Sequence, residues 1–184
     1  MTVLATKTEP LQVWIGCCHE WAERMVGCWY DADEAGLVTV ERLHADAGVP
    51  LKPGCEELWC YDHSGFPSGT GEMSPAAAQE WGDAYNECEP HLWPALTAWI
   101  ETGAYVAQGN GDIPVVSDFI DAYQGEYDDV EDYARAYVDE TGMMEGWSET
   151  AMTYFDWERW SSDLETELTT ADAPGSGIYV FANP

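Results

Sequence analysis

The residues best suited to chemistry lie near the N-terminus, where Cys17-Cys18-His19 is followed by Cys28, Cys55, Cys60 and His63. Thiolate sulfur and imidazole nitrogen are zinc ligands, and four of them meeting tetrahedrally would staple a small sheet. Their spacing matches no zinc pattern: there is no Cys-x-x-Cys, and Cys17 and Cys18 point to opposite faces if both lie on a strand. The same residues offer a Cys/His nucleophile pair. Nothing cationic surrounds them to lower a thiol pKa, and neighbouring carboxylates raise it. Buried free thiols acting as small hydrophobes are therefore the expectation, with no metal and no cofactor.

Carboxylates are the second chemical resource. The 184 residues hold 35 acids against 6 bases, a formal net charge of −29, and beyond Pro53 the only basic residues are Arg135 and Arg159. Close pairs such as Asp128 with Asp129, or Asp156 with Glu158, suit acid–base work or calcium binding. At this density such pairs arise by chance, and no stretch alternates Asp and Asn around the glycine of a calcium loop. No glycine-rich phosphate loop is present either, so no active site emerges and a non-enzyme is expected. The charge also has the wrong sign for direct nucleic-acid binding or for an anionic membrane surface. It leaves a cationic partner, a high-salt habitat, or disorder. Disorder conflicts with 46% hydrophobic and 13% aromatic residues. Haloadaptation fits a chain whose only lysines are Lys7 and Lys52, and the rival reading is a haloadapted or zinc-stapled small acidic enzyme.

The elements that must carry these groups fall into three stretches of different character: strand-like over 1–68, helical over 69–103, and mixed over 104–184. Short β-branched and aromatic runs at Leu11 to Ile15, Arg24 to Tyr30 and Glu56 to Asp62 predict an antiparallel sheet, with a helix near Thr39 to Ala47. Ser64 to Gly71 reads as a linker. Ser74-Pro75 opens a helix with Ala77, Trp81, Ala84, Tyr85 and Cys88 on one face and Glu80, Asp83 and Glu87 on another. Pro90 ends it, and Leu92, Leu96, Trp99 and Ile100 suggest a second. Val116, Phe119, Ile120 and Tyr123 recur at helical spacing, with Asp118 and Asp121 turned away. Gln124-Gly125-Glu126 reads as a turn, and Asp128 with Glu131 as a capping box for a helix striped by Val130, Tyr133, Ala134, Tyr137 and Val138. Asp156 caps a helix bearing Trp157, Trp160 and Leu164, with Trp157, Trp160, Tyr133 and Tyr137 read as core. Gly177 to Phe181 is a closing strand. The fold class is α+β. No signal peptide or membrane span is legible, so the expected location is the cytoplasm, with reduced thiols.

Several runs in this order resemble the ArdA antirestriction family. They are Gly27-Cys28-Trp29-Tyr30-Asp31-Ala32, Glu57-Leu58-Trp59-Cys60-Tyr61-Asp62 leading to Gly65-Phe66-Pro67, and Ala122 to Ala134. Tyr154-Phe155-Asp156-Trp157-Glu158-Arg159-Trp160 with Asp163-Leu164-Glu165, and Gly177 to Phe181, complete the set. Cys17-Cys18-His19 departs from the family, whose residues there are polar. The resemblance implies an elongated chain of three small domains that dimerises through the third. It also implies a DNA mimic whose carboxylates imitate phosphates and occupy the DNA-binding groove of a Type I restriction–modification enzyme, in its methyltransferase core. On that reading the phosphate-mimicking residues are Glu80, Asp83 and Glu87, then Asp118, Asp121, Glu126, Asp128, Asp129, Glu131, Asp132, Asp139, Glu140 and Glu145, with Glu158, Asp163 and Glu165. Mimicry of this kind is distributed, so single neutralisations should change little.

Overall fold

Alternating apolar residues at Val13, Ile15 and Cys17 place one face of β1 (Gln12–Cys17) in a core and make it the centre of a sheet. The computed structural model describes residues 10–18, 26–105 and 113–183. In it β1 pairs antiparallel with β2 (Gly27–Asp31) on one side and β3 (Leu58–Ser64) on the other. Of the expected second strand, Arg24 to Tyr30, Arg24 and Met25 lie outside the described residues, as does His19, and Val26 precedes β2. A 3-10 turn, Ala32–Leu37, then leads to α1 (Val40–Asp46), whose first turn is capped by the Thr39 hydroxyl accepting from the Arg42 amide. The stretch read as a linker is tied down. Cys60 and Met73 exchange backbone hydrogen bonds at 2.9 and 3.2 Å, and the Trp93 indole donates to the Gly65 carbonyl at 2.9 Å.

The helix predicted at Ser74-Pro75 is α2 (Pro75–Glu87), with the Ser74 hydroxyl accepting from the Ala77 amide. Trp81, Ala84, Tyr85 and Cys88 are buried as their spacing requires. α2 lies against the 3-10 turn at Gly82, where an added Cβ would stand 2.3 Å from the Asp33 nitrogen, so only glycine permits this approach. Trp81 and Tyr85 meet Trp93 edge-on. Residues 1–93 with 107–116 form one compact unit, and 94–106 with 117–184 a second.

The second unit contains most of α3 (Trp93–Glu101) and of α4 (Val116–Ala122), together with β4 (Tyr123–Tyr127), α5 (Val130–Thr141), α6 (Glu149–Thr153), α7 (Trp157–Glu165), β5 (Leu168–Asp172) and β6 (Ile178–Ala182). Its antiparallel sheet has the order β4-β6-β5. Phe119 and Phe181 are fully buried, and the rings of Trp99, Tyr123 and Phe181 surround Phe119.

Four expectations need correction. Gln124-Gly125-Glu126 is not a turn but the middle of β4; Gly125, at φ +127°, absorbs a bulge between Tyr123 and Gly125. The helical run ends at Ala122, so Tyr123 belongs to the strand and Ile120 is exposed. The cap of α5 is Asp129, whose Oδ1 accepts from the Asp132 amide at 2.9 Å, and not Asp128. Tyr133 is core, whereas Tyr137 is exposed and Trp157 and Trp160 only half-buried. Among the described residues no helix is long and apolar enough to cross a membrane.

Candidate partner-binding surface

The helix caps and apolar stripes that fold the second unit also aim its acids outward. On α5, Tyr133, Ala134 and Val138 are buried, and Asp132 and Asp139 fall on the opposite side of the helix. Glu140 flanks them, Glu145 follows in the turn beyond, and Glu126 projects from β4. On α7, Glu158, Asp163 and Glu165 are exposed. In the first unit Glu80, Asp83 and Glu87 form the outer face of α2. Asp121, Asp128 and Asp129 are exposed as well; of the sixteen acids predicted from sequence, only Asp118 and Glu131 are half-buried.

Few of these charges are neutralised internally. Glu131 accepts from Arg135 one turn along α5, through Nε at 3.1 Å and also through a second guanidinium nitrogen. The same guanidinium lies 4.2 Å over the Trp157 ring, fixing α5 to α7. In the first unit Arg42 reaches Glu34 at 3.3 Å and Asp46 at 3.7 Å. Among the described residues, the predicted acids other than Glu131 and Asp118 are held in no ion pair.

The carboxylates impose a field on their neighbours. Burial raises the Tyr127 phenol above its ordinary value, and Glu140 and Asp132 raise it further. Tyr123 is pushed to about 12 by burial, then by Tyr179 and Glu126. A ladder of rings, with Tyr137 exposed among them, links β4, α5 and α7. Tyr127 touches Tyr133, Tyr133 touches Tyr137, Tyr137 touches Trp160, and Trp160 touches Trp157 and Phe155. Such pairs add about 0.5–1.5 kcal/mol each beyond the area they bury, so the linked elements are held stiffly.

Three of the described thiols are raised above the ordinary thiol value. Burial pushes Cys60 up to about 12 and Cys88, with Glu89 and Glu87 nearby, up to about 11. Cys28 is raised by burial and by Asp46, against a lowering hydrogen bond from Tyr30. His63 is engaged with the Thr70 carbonyl at 2.6 Å and packs on Phe66. Among the described residues considered as zinc ligands, the structure gathers Cys17 and Cys55, and it adds His44, which the sequence reading passed over.

Taken together, these features define a small, strongly acidic α+β protein whose distinguishing surface is a set of outward carboxylates on rigid elements. Residues 13–175 match the antirestriction protein (ArdA) family, and the chain belongs to that family. No curated protein sequence matches it. Membership supports an antirestriction function, the family being one of inhibitor proteins.

Proposed function

We propose that the protein is a DNA mimic that occupies the DNA-binding groove of a Type I restriction–modification enzyme, in its methyltransferase core. The observation that carries this reading is how little internal neutralisation there is among the described residues: the outer faces of α2, α5 and α7 present carboxylates of which Glu131 alone has a basic partner. Duplex DNA carries one charge per ~1.7 Å of axis, and proteins that read it line their grooves with lysine and arginine. Carboxylates three or four residues apart on a helix stand about 5–6 Å apart at their Cβ atoms, roughly a third of that density, so several acidic elements must act together to approach it. Because helices and stacked rings already hold them, little ordering entropy is lost on binding, unlike a flexible acidic tail. The inhibitor blocks restriction by excluding DNA, and modification through the same groove.

The reading extends to three domains over 1–68, 69–103 and 104–184, and to a homodimer formed through the third. Met143, Trp147, Met152 and Tyr154 support the dimer, for all are exposed, Tyr154 by 83%, and exposed aromatics and methionines are enriched at interfaces. The test is block neutralisation. Changing Asp121, Glu126, Asp128, Asp132, Asp139, Glu140, Glu145, Glu158, Asp163 and Glu165 together to their amides should sharply weaken inhibition of a Type I enzyme, with the fold retained by circular dichroism. Unchanged potency in that folded variant would refute the role assigned to these acids.

A further inference from the structure

The geometry points to a site for a thiophilic divalent cation of the zinc class inside the first unit, formed by Cys17, His44 and Cys55. The two sulfurs and an imidazole nitrogen lie within 4.8 Å of one another. They come from three elements: the end of β1, the middle of α1, and the irregular segment between α1 and β3. Tetrahedral zinc with Zn–S near 2.3 Å and Zn–N near 2.0–2.1 Å sets ligand atoms about 3.6–3.8 Å apart, so contraction of about 1 Å closes the shell. All three side chains are buried, His44 at 2% and Cys17 at 1% exposure, with Cys55 nearest the surface at 9%.

The second observation is the orientation of the imidazole. α1 ends in a Schellman turn in which Gly48, at φ +66°, lets the Val49 amide bond the His44 carbonyl and the Gly48 amide bond that of Ala45. That turn brings the Val49 carbonyl back to His44, where Nδ1–H donates to it at 3.2 Å. Donation through Nδ1 makes Nε2 the lone-pair nitrogen, the arrangement by which metal-binding histidines are held by a backbone carbonyl behind them. Charge supports the same conclusion. A divalent ion with two thiolates and a neutral imidazole has no net charge, so burying it in this apolar core leaves no uncompensated ion. Binding releases the two thiol protons to solvent. Thiolate donors select zinc-like ions over magnesium and calcium, which the acidic surface attracts only through oxygen. An open depression of about 410 Å³ is lined by His44, Val49 and Pro50 among others; Cys17 and Cys55 are not on its wall.

The ion would staple the segment 47–57, which has no helix or strand of its own, to both sheet and helix. The test uses the full chain, reduced and stripped with chelator. Cobalt(II), as a spectroscopic probe, should bind at one equivalent with tetrahedral ligand-field bands and charge transfer from two thiolates, and zinc should displace it while excess magnesium does not. Zinc at a hundredfold excess over its Kd should raise Tm by roughly 5–10 °C. X-ray absorption at the zinc edge of the unmutated protein should show two sulfurs and one imidazole. Cys55→Ser and His44→Gln should each abolish the cobalt charge-transfer spectrum or change its ligand count, whereas Cys28→Ser should leave it intact. An oxygen-only zinc shell, or no thiolate charge transfer with cobalt, would overturn the assignment irrespective of whether the variants fold. So would a thiolate spectrum that survives Cys55→Ser unchanged. None of these outcomes depends on how restriction enzymes are inhibited.

Discussion

Asp128 and Asp129 illustrate how one residue's position separates folding from binding. Asp129 accepts the Asp132 amide and so caps α5, whereas Asp128 is exposed and makes no such bond. Asp129→Ala should therefore cost about 1 kcal/mol in chemical denaturation, the usual loss for an N-cap, while Asp128→Ala should leave the midpoint unchanged. Equal effects would mean that the helix start is shifted. For inhibition the expectation is the reverse of a hot spot. An exposed ion pair contributes about 0.2–1 kcal/mol, so single changes such as Asp132→Asn or Asp139→Asn should alter potency by no more than a few-fold. One substitution that abolished inhibition in a folded protein would contradict a distributed surface. These acids were legible in the sequence because so few bases exist to pair them. The Cys17–His44–Cys55 cluster was not, since its members are 27 and 11 residues apart in the chain, and only the folding of three elements brings them together.

At the scale of elements, two features carry measurable consequences. Gly82 allows α2 to touch the backbone at Asp33, and Gly82→Ala should destabilise the first unit by about 1–3 kcal/mol through overpacking. A neutral effect in thermal or urea unfolding would show that the contact relaxes freely. The tyrosine cluster of the second unit provides a pH signature. The phenols of Tyr123, Tyr127, Tyr133 and Tyr179 are all raised, by burial first. A raised folded pKa means that the neutral Tyr123 phenol contributes stability fully present below the ordinary value of 10.0 and lost as pH climbs through about 12, and the other three phenols act in the same direction. Unfolding should accordingly set in across that alkaline window, and ultraviolet titration should show delayed tyrosinate formation in the native state. Tyrosinate appearing at the ordinary pH in the folded protein would contradict the burial. Helix starts were legible because Ser74 and Asp156 cap them with their own side chains. β5 escaped notice because Leu168 to Asp172 lacks a strong apolar alternation, and it exists through its ladder with β6. β4 was obscured by Gly125, which signals a turn in sequence but forms a bulge here.

For the whole molecule, the uncompensated charge that sequence alone reveals is a cost to folding through self-repulsion. Buried rings and two small sheets meet that cost, and membership of the antirestriction family supplies the partner class. Electrostatic competition with DNA is then the central claim, and salt is its diagnostic, since screening acts over about 10 Å at 0.1 M and about 3 Å at 1 M. Labelled duplex bound to a Type I methyltransferase, titrated with this protein at low and at high salt, tests it most directly. The account predicts displacement of DNA at near-stoichiometric protein, weakening as salt rises. A folded protein that inhibits restriction while DNA stays bound to the methyltransferase would contradict it.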